Sequence, residues 1–117
     1  MTEEASIQVP SSNEEWVELL RRSVPEFNKV RKEHPELIPD LFRANLRGLN
    51  ISGANLEGAY LFGASLCGAN LSGVVFNKNT FLVGINLGCA TNVPEEFFDQ
   101  MVRQTRESIE SIVPANK

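Results

Sequence analysis

The chain has almost none of the residues on which most catalysis and metal binding rest. Two cysteines and one histidine in 117 residues fall short of a four-ligand zinc set of cysteines and histidines. His34 stands directly before Pro35, where it reads as a helix-end residue. There is no cysteine–histidine pair within the apolar repeat described below, no phosphate-cradling glycine loop and no serine elbow. The expectation is therefore no cofactor, no metal and no enzyme. Basic charge is scarce too. Eleven Lys and Arg against fifteen Asp and Glu leave a formal net charge of −4, and no basic stripe offers nucleic acid a footprint. Long apolar runs are missing: no window reaches the ~20 residues of a membrane span. The opening MTEEASIQVP lacks the basic start and apolar core of a signal peptide. This predicts a cytoplasmic protein with no direct contact to membrane or nucleic acid, and reduced thiols at Cys67 and Cys89.

What the chain does have is repetition. Leu41, Leu46, Ile51, Leu56, Leu61, Leu66, Leu71, Phe76 and Phe81 form an unbroken series of large apolar residues, each five after the last. The surrounding pentad is clearest as ANLRG (Ala44–Gly48), ANLEG (Ala54–Gly58) and ANLSG (Ala69–Gly73). A five-residue step moves a side chain about 140° around a helix, so no helical face collects the leucines. In a strand an odd step throws successive leucines to opposite sides. Only a chain that bends once per pentad keeps them together, and the glycines two after each centre, Gly48 to Gly73, can supply the bend. Turning in one sense every five residues, such a chain closes into a coil.

Ala-Asn-Leu-x-Gly in tandem resembles the pentapeptide-repeat family, over residues 40–91 of this chain. The resemblance implies an all-β solenoid, a right-handed quadrilateral β-helix with four pentads per turn, here about two and a half coils. In that family the central apolar residue and the small residue two before it point inward. Carried onto this chain, the centres from Leu46 to Phe81 point inward, with Ala44, Leu49, Ala54, Ala59, Ala64, Ala69 and Val74 between them. Asn79 takes the small position before Phe81, and Leu87, six residues after Phe81, implies a one-residue bulge between those two centres.

Open solenoid ends need caps. Residues 1–11 read as a disordered tail and 12–39 as a helical cap. Ser12 with Glu15 has capping-box spacing, and Ser23 with Glu26 restarts the helix after the first segment. Residues 92–113 read as a C-terminal amphipathic helix, with Asn92 and Glu95 at capping spacing, and 114–117 as a tail. Its apolar face is Phe98, Met101, Val102, Thr105, Ile109 and Ile112. At ~28 Å for the 19 residues from Pro94 to Ile112 this helix outreaches the solenoid end. Either it is broken, or its distal residues Ile109, Ile112 and Val113 meet a partner, a second copy of the chain included.

Residues twenty apart stack on one face, which puts Phe42, Phe62 and Leu82 in an outward column beside Asp40, Tyr60 and Thr80. One face of four is then apolar and aromatic. Exposed apolar patches mark interaction surfaces unless the same chain covers them, and a terminal helix is one candidate cover. The reading is a non-catalytic module of bacterial style that binds an unidentified protein partner through Phe42, Tyr60, Phe62, Leu82, Ile109 and Ile112. A subset of the family, the quinolone-resistance proteins, resembles B-DNA as acidic rods and binds type II topoisomerases. Residues 40–91 depart from that pattern, carrying three bases and only two acids. A small enzyme is the remaining alternative.

Overall fold

The computed structural model describes residues 8–112, so residues 1–7 of the expected tail 1–11, Val113 and the expected tail 114–117 lie outside it. Helix α1 spans Asn13–Arg22 and α2 spans Val24–Glu33. A coiled segment follows, and α3, Glu95–Ile112, closes the described chain.

Both N-terminal helices begin where their polar starts require. Ser12 Oγ accepts the Glu15 amide at 3.2 Å, and Ser23 Oγ accepts the Glu26 amide at 3.1 Å. Ser23 also ends α1, its own amide donating to Leu19 O. A single extended residue thus separates the two helices, and Pro25 fits because the first turn of a helix needs no donor there. Trp16 and Phe27 meet edge to face at 5.9 Å, and with Leu19, Leu20 and Val30 they are buried over the first coil.

From Asp40 onward the chain retraces its path every twenty residues. Parallel bridges join Asp40 to Tyr60, Asn45 to Ser65, Asn50 to Asn70 and Asn55 to Val75. The expectation of an all-β fold is revised here. Among the described residues there are three helices and only single-residue bridges, because each pentad gives all but one of its residues to the bend. The bend is a turn closed from the residue three after each centre back to the centre, as from Ala54 N to Ile51 O at 3.0 Å. Its third position has positive φ, 75° at Gly53, which is why glycine recurs there. Arg43, in the first pentad, takes the same conformation at 54°.

The asparagines of the pentad have a local task as well. Asn45, Asn50, Asn55 and Asn70 each accept, on Oδ1, the amide two residues on, at 3.0–3.2 Å. This side-chain turn holds the chain into the corner. Leu41 through Leu71 are wholly buried along the axis, with Ala44, Ala54, Ala59, Ala64 and Ala69 between them.

The phase break lies one pentad earlier than its apolar pattern suggests. After Val75 the bridges become Tyr60 to Phe81, Ser65 to Asn86 and Asn70 to Thr91, each twenty-one residues apart. The extra residue therefore enters between Val75 and Phe81. Lys78 stands where the six preceding pentads, Gly48 to Gly73, carry glycine, and the corner is made instead by a turn closed from Thr80 N to Asn77 O at 3.0 Å. No residue of that turn has positive φ. Avoiding the left-handed conformation uses one more residue. The inserted residue is accommodated by side chains: Asn77 Oδ1 accepts from Gly58 N at 3.0 Å, and Thr80 Oγ1 donates to Leu56 O at 2.8 Å.

Three expectations change as a result. Leu82, not Phe81, is the inward centre and is wholly buried; Phe81 stacks outward over Tyr60; and buried Thr80, rather than Asn79, fills the small position above Ala59. Leu87 then follows Leu82 by the ordinary five residues.

Candidate functional site

Bringing Phe81 outward completes an aromatic face that the pentad pattern alone leaves short. Tyr60 lies between Phe42 and Phe81, with ring centroids 6.0 and 5.4 Å away and planes within 14° of parallel. Phe62 stacks on Phe42 at 5.8 Å and on Phe81 at 6.2 Å. Four rings from three successive coils thus form one ladder, aligned by the coil-to-coil bridges rather than by side-chain choice. Phe42, Tyr60 and Phe62 are 40%, 39% and 38% exposed, so no helix among the described residues covers them. The Arg43 guanidinium lies 5.9 Å from the centre of the Phe42 ring. Its stem rests on Gly63, where an added Cβ would come within 3.3 Å of Arg43 Cγ. Leu82 does not belong to this face; its place in the expected set falls to Phe81.

Helix α3 docks by a face other than its most apolar one. Phe97 is wholly buried and meets Phe76 edge to face at 5.1 Å, closing the C-terminal end of the core. Gln100 Nε2 donates to Asn77 O and Thr80 O at 2.9 and 2.8 Å, and Gln104 Nε2 donates to Thr80 O at 2.9 Å. Gln104 Oε1 accepts from Leu82 N at 2.7 Å. The helix start also differs from expectation. Pro94 O takes the first amides, from Phe97 and Phe98, while Asn92 has φ 56° and donates its side-chain amide to Asn70 Oδ1.

Choosing the Phe97–Gln100–Gln104 face leaves part of the expected apolar stripe outward, while Met101 packs against the core. Phe98, Val102 and Ile109 are 50%, 49% and 56% exposed. The helix is one unbroken run of 18 residues, and among the described residues its bonds to the coil end at Gln104. The side chain of Ile112 lies outside the described residues. Phe98 and Ile109 are therefore exposed apolar residues of α3.

The opposite end carries a group that sequence reading missed. Buried Arg31 points its guanidinium at three carbonyls, Asn55 O at 3.3 Å, Leu37 O at 2.8 Å and Glu57 O. Burial pushes its pKa down from the usual arginine value, and the Glu57 carboxylate pushes it back up. Its position in the last turn of α2 resembles an ordinary exposed base, so only the contact itself marks it.

Residues 40–77 match the family model for pentapeptide repeats, in eight copies. Over those residues, about a third of the chain, the protein is similar to that family. The match ends at Asn77, inside the segment from Val75 to Phe81 where the extra residue enters. No curated protein and no solved structure matches the chain. No helix among the described residues is long and apolar enough to cross a membrane.

Proposed function

We propose that the coil is a right-handed, four-sided β-helix and that the protein is a non-catalytic interaction module, holding a rigid aromatic face toward a protein partner. The observation that carries this reading is the ladder of Phe42, Tyr60, Phe62 and Phe81. Four rings held near-parallel on a hydrogen-bonded frame lose little freedom when a partner covers them, so burial of their apolar area goes largely into affinity. Aromatic anchors also supply much of the energy of protein interfaces. The free stripe of α3 is a second surface, for the same partner or for another copy. The family fits a non-catalytic repeat protein, and a coil whose only acids are Asp40 and Glu57 gives the topoisomerase-binding reading no support.

Absolute mass by light scattering, on the intact protein and on Ile109→Glu, separates the two surfaces. A dimer that Ile109→Glu splits assigns α3 to self-association. Affinity capture with the intact protein and with Phe62→Glu then tests the ladder. Loss of a partner on Phe62→Glu, with an unchanged melting temperature, is the expected result. An identical set of captured proteins with both would refute the reading.

A further inference from the structure

The last pentad breaks a rule that most others keep. From Gly48 to Gly73 the bend residue with positive φ is glycine, but in Leu87-Gly88-Cys89 the order is exchanged and Cys89 takes φ 59°. A side chain in that conformation costs more than glycine would. Across the coils the exchange has a consequence. Gly68 N donates to Gly88 O at 2.8 Å, and the bridges of Ser65 to Asn86 and Asn70 to Thr91 set Cys67 in register with Gly88. An added Cβ on Gly88 would lie 3.7 Å from Cys67 Sγ, so that thiol leans onto bare backbone. Cys89 is the next residue along, the diagonal neighbour of Cys67. For coils ~4.8 Å apart and consecutive Cα atoms ~3.8 Å apart, that diagonal is about 6 Å. Disulfides span Cα separations of about 4.4–6.8 Å. Both thiols are free, Cys67 half-buried and Cys89 exposed.

We propose that Cys67 and Cys89 form a thiol-modification site that reacts with low-molecular-weight disulfides of the glutathione class and closes into an intrachain disulfide. The Cys89 thiolate attacks one sulfur of the small disulfide, forming a mixed disulfide and releasing one small thiol. The Cys67 thiolate then attacks Cys89 Sγ and expels the second. Two protons leave the protein thiols, and their two electrons reduce one small disulfide to two thiols. The bond ties the second coil to the residues from which α3 departs. In the thiol form that junction is held by hydrogen bonds, among them Leu71 N to Thr91 O at 3.0 Å and the Asn92 amide to Asn70 Oδ1 at 2.9 Å.

The test treats the intact folded protein with oxidised glutathione, blocks remaining thiols, and measures mass and non-reducing peptide maps. The expected product is a monomer lighter by two hydrogens, with one linked peptide pair containing Cys67 and Cys89. It should melt higher than the thiol form and revert with reduced glutathione. Cys89→Gly restores the residue the bend favours, so it should fold and end with glutathione on Cys67 or an unmodified thiol. Stable glutathione adducts on both cysteines of the folded protein, cross-linked dimers, or closure only in denaturant would each overturn the assignment.

Discussion

Asn28 and Gln104 do the same thing at opposite ends of the coil. Asn28 donates to Gly53 O at 3.0 Å and accepts from Asn55 N at 2.8 Å. Gln104 donates to Thr80 O at 2.9 Å and accepts from Leu82 N at 2.7 Å. Each amide thus serves the carbonyl of one residue and the N–H of the residue two further on, as the next coil of the solenoid would. A side-chain amide is the smallest group with a donor and an acceptor side by side, and a helix can hold it against the edge.

From this pair it follows that Asn28→Leu costs about 1–2 kcal/mol, since it strands two backbone groups near the surface. Gln104→Leu costs about 1 kcal/mol, since Leu82 N is stranded while Thr80 O keeps the Gln100 amide. Gln104→Glu keeps the acceptor and loses the donor, so its loss should fall between those of Leu and Gln. Chemical denaturation of the three variants measures this. Equal stability of Gln104→Leu and the parent protein would mean that water replaces the amide without loss.

The placement of the extra residue has its own test. Leu82→Ala should destabilise by about 2–5 kcal/mol, because the buried centre leaves a cavity between stacked coils. Phe81→Ala, on the half-exposed ladder, should cost about 1 kcal/mol. The opposite ranking would restore Phe81 to the core and place the bulge after it.

Thr80→Val probes how the bulge is accommodated. The substitution keeps the shape of a buried side chain but removes the hydroxyl that donates to Leu56 O and accepts from Asn77 N at 3.0 Å. Asn77 N then loses its partner and Leu56 O keeps only the turn bond from Ala59 N, for a loss of about 1–3 kcal/mol. Thr80→Ser, which retains the hydroxyl, should recover most of it in the same thermal melts.

Arg31→Leu should cost about 2–4 kcal/mol, since the carbonyls of Asn55, Leu37 and Glu57 all lose a donor in a partly buried place. Arg31→Lys should recover little. A lysine head is a point charge on a flexible stem and cannot reproduce the planar fork that meets three acceptors at once. Full recovery by lysine in urea titrations would show that charge near Glu57, and not the fork, is what counts.

Much of this was legible from the sequence. The five-residue apolar period and the glycine bends follow from local rules, as do the two serine-started helices, and the inward centres from Leu46 to Leu71 follow from the family resemblance. The ladder residues Phe42, Tyr60 and Phe62 follow from stacking at twenty. The role of the pentad asparagines was open to a turn argument that the apolar period overshadows. Phe97, Gln100 and Gln104 also recur at helical spacing, but a search for apolar residues passes over the amides.

What only the tertiary structure decided are choices made against a neighbour twenty residues away. Phe81 and Leu82 are consecutive and both apolar, so local pattern cannot say which one faces inward. The bonds from Phe81 N to Ala59 O and from Leu61 N to Phe81 O decide it. Likewise α3 presents its amide face because the coil end offers Thr80 O and Leu82 N, groups that leucine or isoleucine cannot satisfy. Repetition determined that the chain coils; long-range hydrogen bonding determined where the repeat slips and which side chains are left outside.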